Sequence, residues 1–392
     1  MSKVLSVNAG SSSLKYQLLD MPNEIVITEG IIERIGMDDA IFSMKFNKEK
    51  TKKVLPIIDH EVAVNLLIHQ LTERKVIESL DEIVGVGHRV VHGGETFKDS
   101  VLIDDDVIKQ IEDLQELAPL HNPANLMGIR TFMKALPNVP NVAVFDTAFR
   151  QTMPKEAYLY GVPYEWYEKY GVRKYGFHGT SHQYVSGRIQ KILNNDQAKV
   201  IVCHLGNGAS LCAVDGNKSI DTSMGFTPLS GLLMGTRSGD IDPAIISYVC
   251  KKTNKSLAEV ESELNKKSGL LGVSGHSNDS RDIEDSIVSG NLRSKLAQDI
   301  FNRRIVTYIA QYHVLLGGAD AIVFTAGIGE NSSQVRSEVL KSLSVLGVEL
   351  DEEANNTRGK EQLISKEGSK IKCFVIPTNE EVVIARDLIR LS

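Results

Sequence analysis

The sequence predicts an α/β fold built around a duplicated strand–turn–strand unit, and three observations support this. Lys3-Val-Leu-Ser-Val-Asn8-Ala-Gly10 is echoed without gaps by Lys199-Val-Ile-Val-Cys-His204-Leu-Gly206. Each copy runs into a turn of small residues and resumes as a strand, Leu14 to Leu19 in one case and Ser210 to Val214 in the other, so each reads as a β-hairpin. Elsewhere, short apolar runs alternate with helical segments, the pattern of α/β architecture. Chance similarity of two strands is the competing reading of the repeat. It loses weight because both turns are rich in glycine or serine, where a phosphate could lie against backbone N–H groups.

Ile83 to Val91, Val142 to Asp146, Ala321 to Ala326 and Ile371 to Ile376 suit buried strands. Asn122-Pro123 and Asp242-Pro243 each read as an N-cap followed by an N1 proline, and Thr378-Asn-Glu-Glu381 reads as a capping box opening a C-terminal helix, Glu381 to Leu391. A domain boundary is expected just after Asp146, where Thr147 to Pro163 turns polar and proline-punctuated. No low-complexity linker separates the halves, so a tight hinge with a cleft is expected rather than tethered modules.

With 392 residues and 42% hydrophobic content, the chain can bury a substantial core in two or three domains. A formal charge of -6 offers no basic field for nucleic acid or an anionic membrane, so any anion must be gripped locally. Cys203, Cys212, Cys250 and Cys373 lie far apart, without zinc or disulfide spacing, and read as reduced thiols. The N-terminus enters a strand-like pattern at once, and no apolar run reaches membrane-spanning length; a cytoplasmic location is expected.

Asn8-Ala-Gly-Ser11-Ser-Ser13-Leu-Lys15 is a glycine and serine turn ending in a cation, suited to phosphate oxygens or to nothing more than a polar hairpin. It is not a Walker loop, a pattern found nowhere in the chain. Gly87-His88-Arg89-Val-Val91-His-Gly-Gly94 places an arginine fork beside paired glycines, fit to hold a carboxylate or to make a surface ion pair. Gly327-Ile328-Gly329-Glu330-Asn331 lies between a strand and a helix, where a nucleotide could approach the backbone. Arg237 and His178 both sit between small residues on expected loops. Asp146 closes an apolar strand, a place for a catalytic group or a helix cap.

The stretches Ser6 to Lys15 and Val86 to Gly94 resemble the two signatures of the acetate kinase family. The resemblance continues through Phe177 to His182, His204 to Gly208, Gly235 to Asp240, Gly327 to Asn331 and Pro377 to Glu380, covering essentially the whole chain in order. It implies two ribonuclease H-like domains of the actin-like ATPase fold with an active-site cleft between them: residues 1–147 plus 382–392, and 148–381, with the final helix returning to the first domain. It implies Mg²⁺, with Mn²⁺ possible, held by Asn8 and Glu380. Glu380 could equally be an acid in the first turn of a helix. ATP or ADP would meet Lys15, His204, Leu205, Gly206, Asn207, Gly208, Asp279, Ser280, Arg281 and Gly327 to Asn331, with Ser11 and Ser13 in the phosphate loop. For Asp279 to Arg281 the residues alone say only polar loop.

The same resemblance makes Asp146, His178 and Arg237 catalytic and Arg89, Val91 and His121 substrate-binding. Val91, two residues after Arg89, would share its face of the strand and line the site for the substrate methyl. The expected reaction is reversible transfer of the ATP γ-phosphoryl group to acetate, giving acetyl phosphate, in a homodimer. The alternatives are a propionate or butyrate kinase, and a conformational ATPase of the actin or Hsc70 type, which would need no carboxylate pocket.

Overall fold

The computed structural model describes residues 2–119 and 121–392. They form two compact units, Met1–Gln151 with Asn379–Ser392, and Thr152–Thr378. Residues 148–151 and 379–381 therefore lie with the first unit.

In the first unit, β1 (Ser2–Gly10), β2 (Ser13–Met21), β3 (Ile25–Glu33), β4 (Met37–Phe46) and β5 (Glu49–Ile57) run as an antiparallel meander. β6 (Ile83–Val90) then joins β1 in parallel, β8 (Asn141–Phe145) joins β6 in parallel, and β7 (Val101–Leu102) closes the edge. The order is β5-β4-β3-β2-β1-β6-β8-β7. Alternation gives the sheet two unlike faces. Leu5, Val7, Val86 and Val90 enter apolar clusters with Leu67 and Phe132 of helices His60–Glu73 and Asn122–Ala135 and with Ile129. The opposite face carries Gly85 and Gly87, against which the C-terminal helix Glu380–Leu391 packs. A Cβ at these glycines would lie 2.5 Å from Leu388 and 2.3 Å from Ile384, so only glycine lets the helix settle this close.

The second unit repeats the plan with β9 (Lys199–Leu205), β10 (Ala209–Asp215), β11 (Lys218–Thr222), β12 (Ala321–Thr325), β13 (Gln362–Leu363) and β14 (Lys372–Val375), in the order β11-β10-β9-β12-β14-β13. Counting only shared strands, both sheets read 3-2-1-4-5, three antiparallel then two parallel, the ribonuclease H-like arrangement. The two repeated segments are β1 and β9, the central strands.

Three helix starts differ from expectation. Asn122 is not a cap: its side chain accepts from His92 N at 3.1 Å and donates to His92 O at 2.9 Å, and His121 takes the N-cap position. Asp242 accepts from Ala244 N at 2.9 Å, with Pro243 as N-cap. Thr378 forms no capping box. Asn379 caps the final helix by accepting from Val382 N at 3.1 Å, while Thr378 N donates to Glu330. At Asn122 and Thr378 a longer-range partner, His92 and Ser181 respectively, takes the short polar side chain, whereas at Asp242 the bond stays local, two residues along.

Candidate active site

At the carboxyl ends of β1, β6 and β8, a charged cluster forms on the face that holds the C-terminal helix. The register pairs Asn8 with Lys15 across the first hairpin. Arg89 lies beside Val144 at the end of β6, and Asp146 follows β8. The Arg89 guanidinium forks onto Asp146, Nε to Oδ1 at 3.0 Å and Nη2 to Oδ2 at 2.6 Å, and its Nε lies 3.9 Å from Glu380. Asp146 is fully buried. Lys15 pairs with Glu381. Burial alone would lower the Arg89 pKa, but Asp146 and Glu380 raise it. Burial pushes the Glu380 carboxyl up to about 7; Arg89 and Lys15 oppose this, and Asp146 and Glu381 reinforce it. Three acids thus face two bases.

The phosphate-type turn projects from the same end. Ser11 is exposed at its tip, Ser13 is half-buried, and His60 Nε2 bonds Gly10 O at 2.8 Å, anchoring the turn to a helix. β6 ends at Val90, so Val91 falls outside the strand and alternation does not set its direction. Instead Val91 is buried with its N–H donated to Asn125 Oδ1 at 3.0 Å, and Asn125 also donates to Ala9 O at 2.7 Å. Asn122 and Asn125, one turn apart, clamp residues 91 and 92 onto the end of β1. Half-buried His121 immediately precedes them. His88, beside Arg89 in sequence, turns to the opposite face: Nε2 bonds Asn141 Oδ1 at 2.7 Å, and burial pushes its pKa down to about 4.

In the second unit, His204 stands on β9 opposite Ser210 of β10 and beside Thr325 of β12. The His178 ring stacks on His204 with centroids 4.2 Å apart. His178 has φ +55°, an uncommon conformation for a side-chain-bearing residue, and so has Ala326 at +64°. Such residues gather at functional sites. A Cβ at Gly208 would lie 3.2 Å from Arg237 Nη1 and 3.6 Å from His178 Nε2, so glycine keeps open the space that these two groups face. Arg237 is half-buried; its Nη1 reaches Pro228 O at 3.4 Å, and among the described residues no carboxylate pairs with it. Burial lowers its pKa.

Next to this lies a cavity of about 630 Å³ lined by Gly206, Asn207, Asp279, Ser280, Arg281, Gly327, Ile328 and Asn331, all anticipated from sequence. Asp279 caps helix Ser280–Val288 and takes Arg281 in a fork at 3.0 and 2.6 Å. Leu205 is fully buried, and His204 and Gly208 lie off the lining. Glu330 turns inward: its Oε1 accepts from Ala326 N at 2.8 Å and Thr378 N at 3.2 Å. Asn278, Glu284, Ser332 and Arg358 also line the cavity and were missed. Asn278 and Ser332 adjoin recognised motifs, which was a usable signal; Glu284 and Arg358 carried none. Fully buried Arg336 braces one wall, donating to Gly329 O at 2.8 Å and to Thr357 O at 2.9 Å. Its place among Val335, Val339 and Leu340 on a buried helix face was a signal that went unread.

Residues 3–386 match the Acetokinase family. The chain is 59% identical over its whole length to an acetate kinase of Anoxybacillus flavithermus, covering 99% of that protein. Among solved structures it is similar to Porphyromonas gingivalis acetate kinase, with 44% identity, TM-score 0.96 and full coverage of both chains. It is also similar to a propionate kinase from Francisella tularensis, with 44% identity, TM-score 0.95 and full coverage of both chains. A profile match across nearly the entire sequence and full-length identity well above the level of shared fold alone lead to one conclusion: this chain belongs to the acetokinase family.

Proposed function

We infer that the chain transfers the γ-phosphoryl group of ATP to acetate, giving acetyl phosphate and ADP, and runs the reverse transfer. The observation that carries the chemistry is the Arg237 guanidinium, which pairs with no carboxylate among the described residues, beside His178 and the open space at Gly208. Holding a half-buried cation without a counter-charge is costly, and a phosphoryl group is the anion that would complete it. Arg237 and His178 stabilise charge on the equatorial oxygens during in-line transfer. The cavity lined by Asn207, Asp279 to Arg281 and Gly327 to Asn331 takes the nucleotide, and Lys15, Ser11 and Ser13 meet its phosphates.

Acetate is already ionised near neutral pH, so its activation requires orientation rather than deprotonation. Asp146 holds the Arg89 fork through Nε and Nη2, which leaves the Nη1 edge for the substrate carboxylate. His121 assists, and Val91 bounds the methyl group. Asn8 and Glu380 would hold Mg²⁺ or Mn²⁺, and the excess of acid over base around Glu380 suits a divalent cation. When bound, the ion neutralises phosphate charge. No helix among the described residues is long and apolar enough to cross a membrane. The homodimer of the family is proposed for this chain as well, and light scattering tests it.

Mixing the protein with MgATP, acetate and hydroxylamine should yield acetohydroxamate in step with ADP. ADP release without hydroxamate would instead favour a conformational ATPase.

A further inference from the structure

We propose that Ser210 is a positioning residue that fixes which ring nitrogen of His178 carries its proton. This rests on the reading that His178 faces the phosphoryl group. Ser210 lies on β10, is fully buried, and its Oγ is shared by two imidazoles: His178 Nδ1 at 2.9 Å and His182 Nε2 at 2.8 Å. A serine hydroxyl has one proton to donate. With both rings neutral, the hydroxyl proton keeps an imidazole partner only if one ring donates to Oγ and the other accepts from it; two donors would leave that proton without either ring.

The direction is set by what lies at the far edge of His178. That edge carries Nε2 and faces the space over Gly208 that Arg237 Nη1 also faces. A lone pair on Nε2 would repel a phosphoryl oxygen there, whereas an N–H would donate to it. The chain therefore runs from His182 Nε2–H to Ser210 Oγ, and from Ser210 Oγ–H to His178 Nδ1, leaving the His178 proton on Nε2. His204, stacked on His178, is held separately through Nδ1 to Ser181 Oγ at 2.8 Å, and Ser181 bonds Thr378 Oγ1 at 2.8 Å. Ser210 thus acts on His178 and His182 without touching the reacting groups.

Two variants and one spectroscopic measurement test this. Ser210→Ala should lower kcat for acetyl phosphate formation by about ten- to hundredfold, the size carried by outer partners that orient a histidine. KM for ATP and for acetate should barely move. Ser210→Thr, which keeps a hydroxyl, should recover most of the loss. Nitrogen-15 NMR of histidine-labelled protein, with His178 assigned by its absence in His178→Gln, should show the Nε2–H tautomer in the wild type and a mixed or reversed population in Ser210→Ala. Thermal unfolding of each variant identifies loss of fold, in which case the wild-type tautomer and the threonine variant still decide. An Nδ1–H tautomer in the wild type, or an alanine variant with unchanged kcat and tautomer, overturns the proposal. If instead His178→Gln itself retains full turnover, the reading of His178 fails and the role given to Ser210 falls with it.

Discussion

The two units share one sheet order yet finish their central strands in opposite ways. In the first, Asn8 on β1 faces Lys15 across the hairpin, and the neighbouring strand ends supply Arg89 and Asp146: charges that are already paired. In the second, the equivalent position is His204, facing Ser210, and the surroundings are imidazoles, hydroxyls and glycine around Arg237, which pairs with no carboxylate among the described residues. One scaffold thus carries a cluster of charges already paired with one another and, separately, a hydrogen-bonding cradle of imidazoles and hydroxyls around Arg237. Function differs because it resides in the residues that end the strands, while the sheet that presents them is repeated.

This contrast breaks most sharply at Arg237. Arg237→Ala should cut kcat by about three orders of magnitude or more, as loss of a transition-state arginine does, with KM for ATP nearly unchanged in steady-state assays. Turnover within about tenfold of wild type would remove Arg237 from the chemistry.

On the carboxylate side, Val91→Ala should shift the ratio of specificity constants for acetate and propionate toward propionate by roughly ten- to two-hundredfold, the worth of one methylene. Parallel losses on both acids would mean that buried Val91 is only a packing residue.

Stability separates the two arginines. Arg89→Ala strands the buried Asp146 carboxylate beside Glu380 and should cost about 3 kcal/mol in denaturant unfolding, whereas Arg237→Ala removes a cation that pairs with no carboxylate among the described residues and should cost little. Equal losses would erase the distinction between a paired and an open site.

A related test concerns His88, which lies on the other face of β6. Its folded pKa of about 4 lies below the ordinary value of 6.5, so the unfolded chain binds the extra proton between these limits. Stability should therefore be complete above pH 6.5 and fall as pH drops toward 4, by up to about 3 kcal/mol from this group. His88→Gln should flatten that part of the curve in pH-dependent unfolding; an unchanged slope would show that His88 is not its source.

The smallest effect is expected at Glu380→Gln, which should raise the Mg²⁺ concentration for half-maximal activity several-fold at nearly constant stability, by weakening one ligand. An unaltered Mg²⁺ requirement would leave Glu380 as a first-turn helix acid.

The sequence by itself determined the duplicated hairpins, the α/β class and the glycine-rich turn Gly327 to Asn331, because apolar periodicity and glycine-rich turns are local properties that local sequence encodes; Asp279 to Arg281 were reached only through the family resemblance. It named Arg89, Asp146, His178 and Arg237 but not their partners. Only the tertiary structure decided that Asp146 forks onto Arg89 while Arg237 meets no acid among the described residues, since such contacts join residues far apart in the chain. It also reassigned Asn122 from helix cap to clamp on His92, took Val91 off the strand, and gave the half-buried Glu330 carboxylate to the backbone N–H groups of Ala326 and Thr378. Arg358 and Arg336 reach the cavity and its wall through segments that show no motif. A short polar or cationic side chain bonds whatever the fold brings within about 3 Å, and that neighbour is chosen by the packing of whole elements rather than by the adjacent residues.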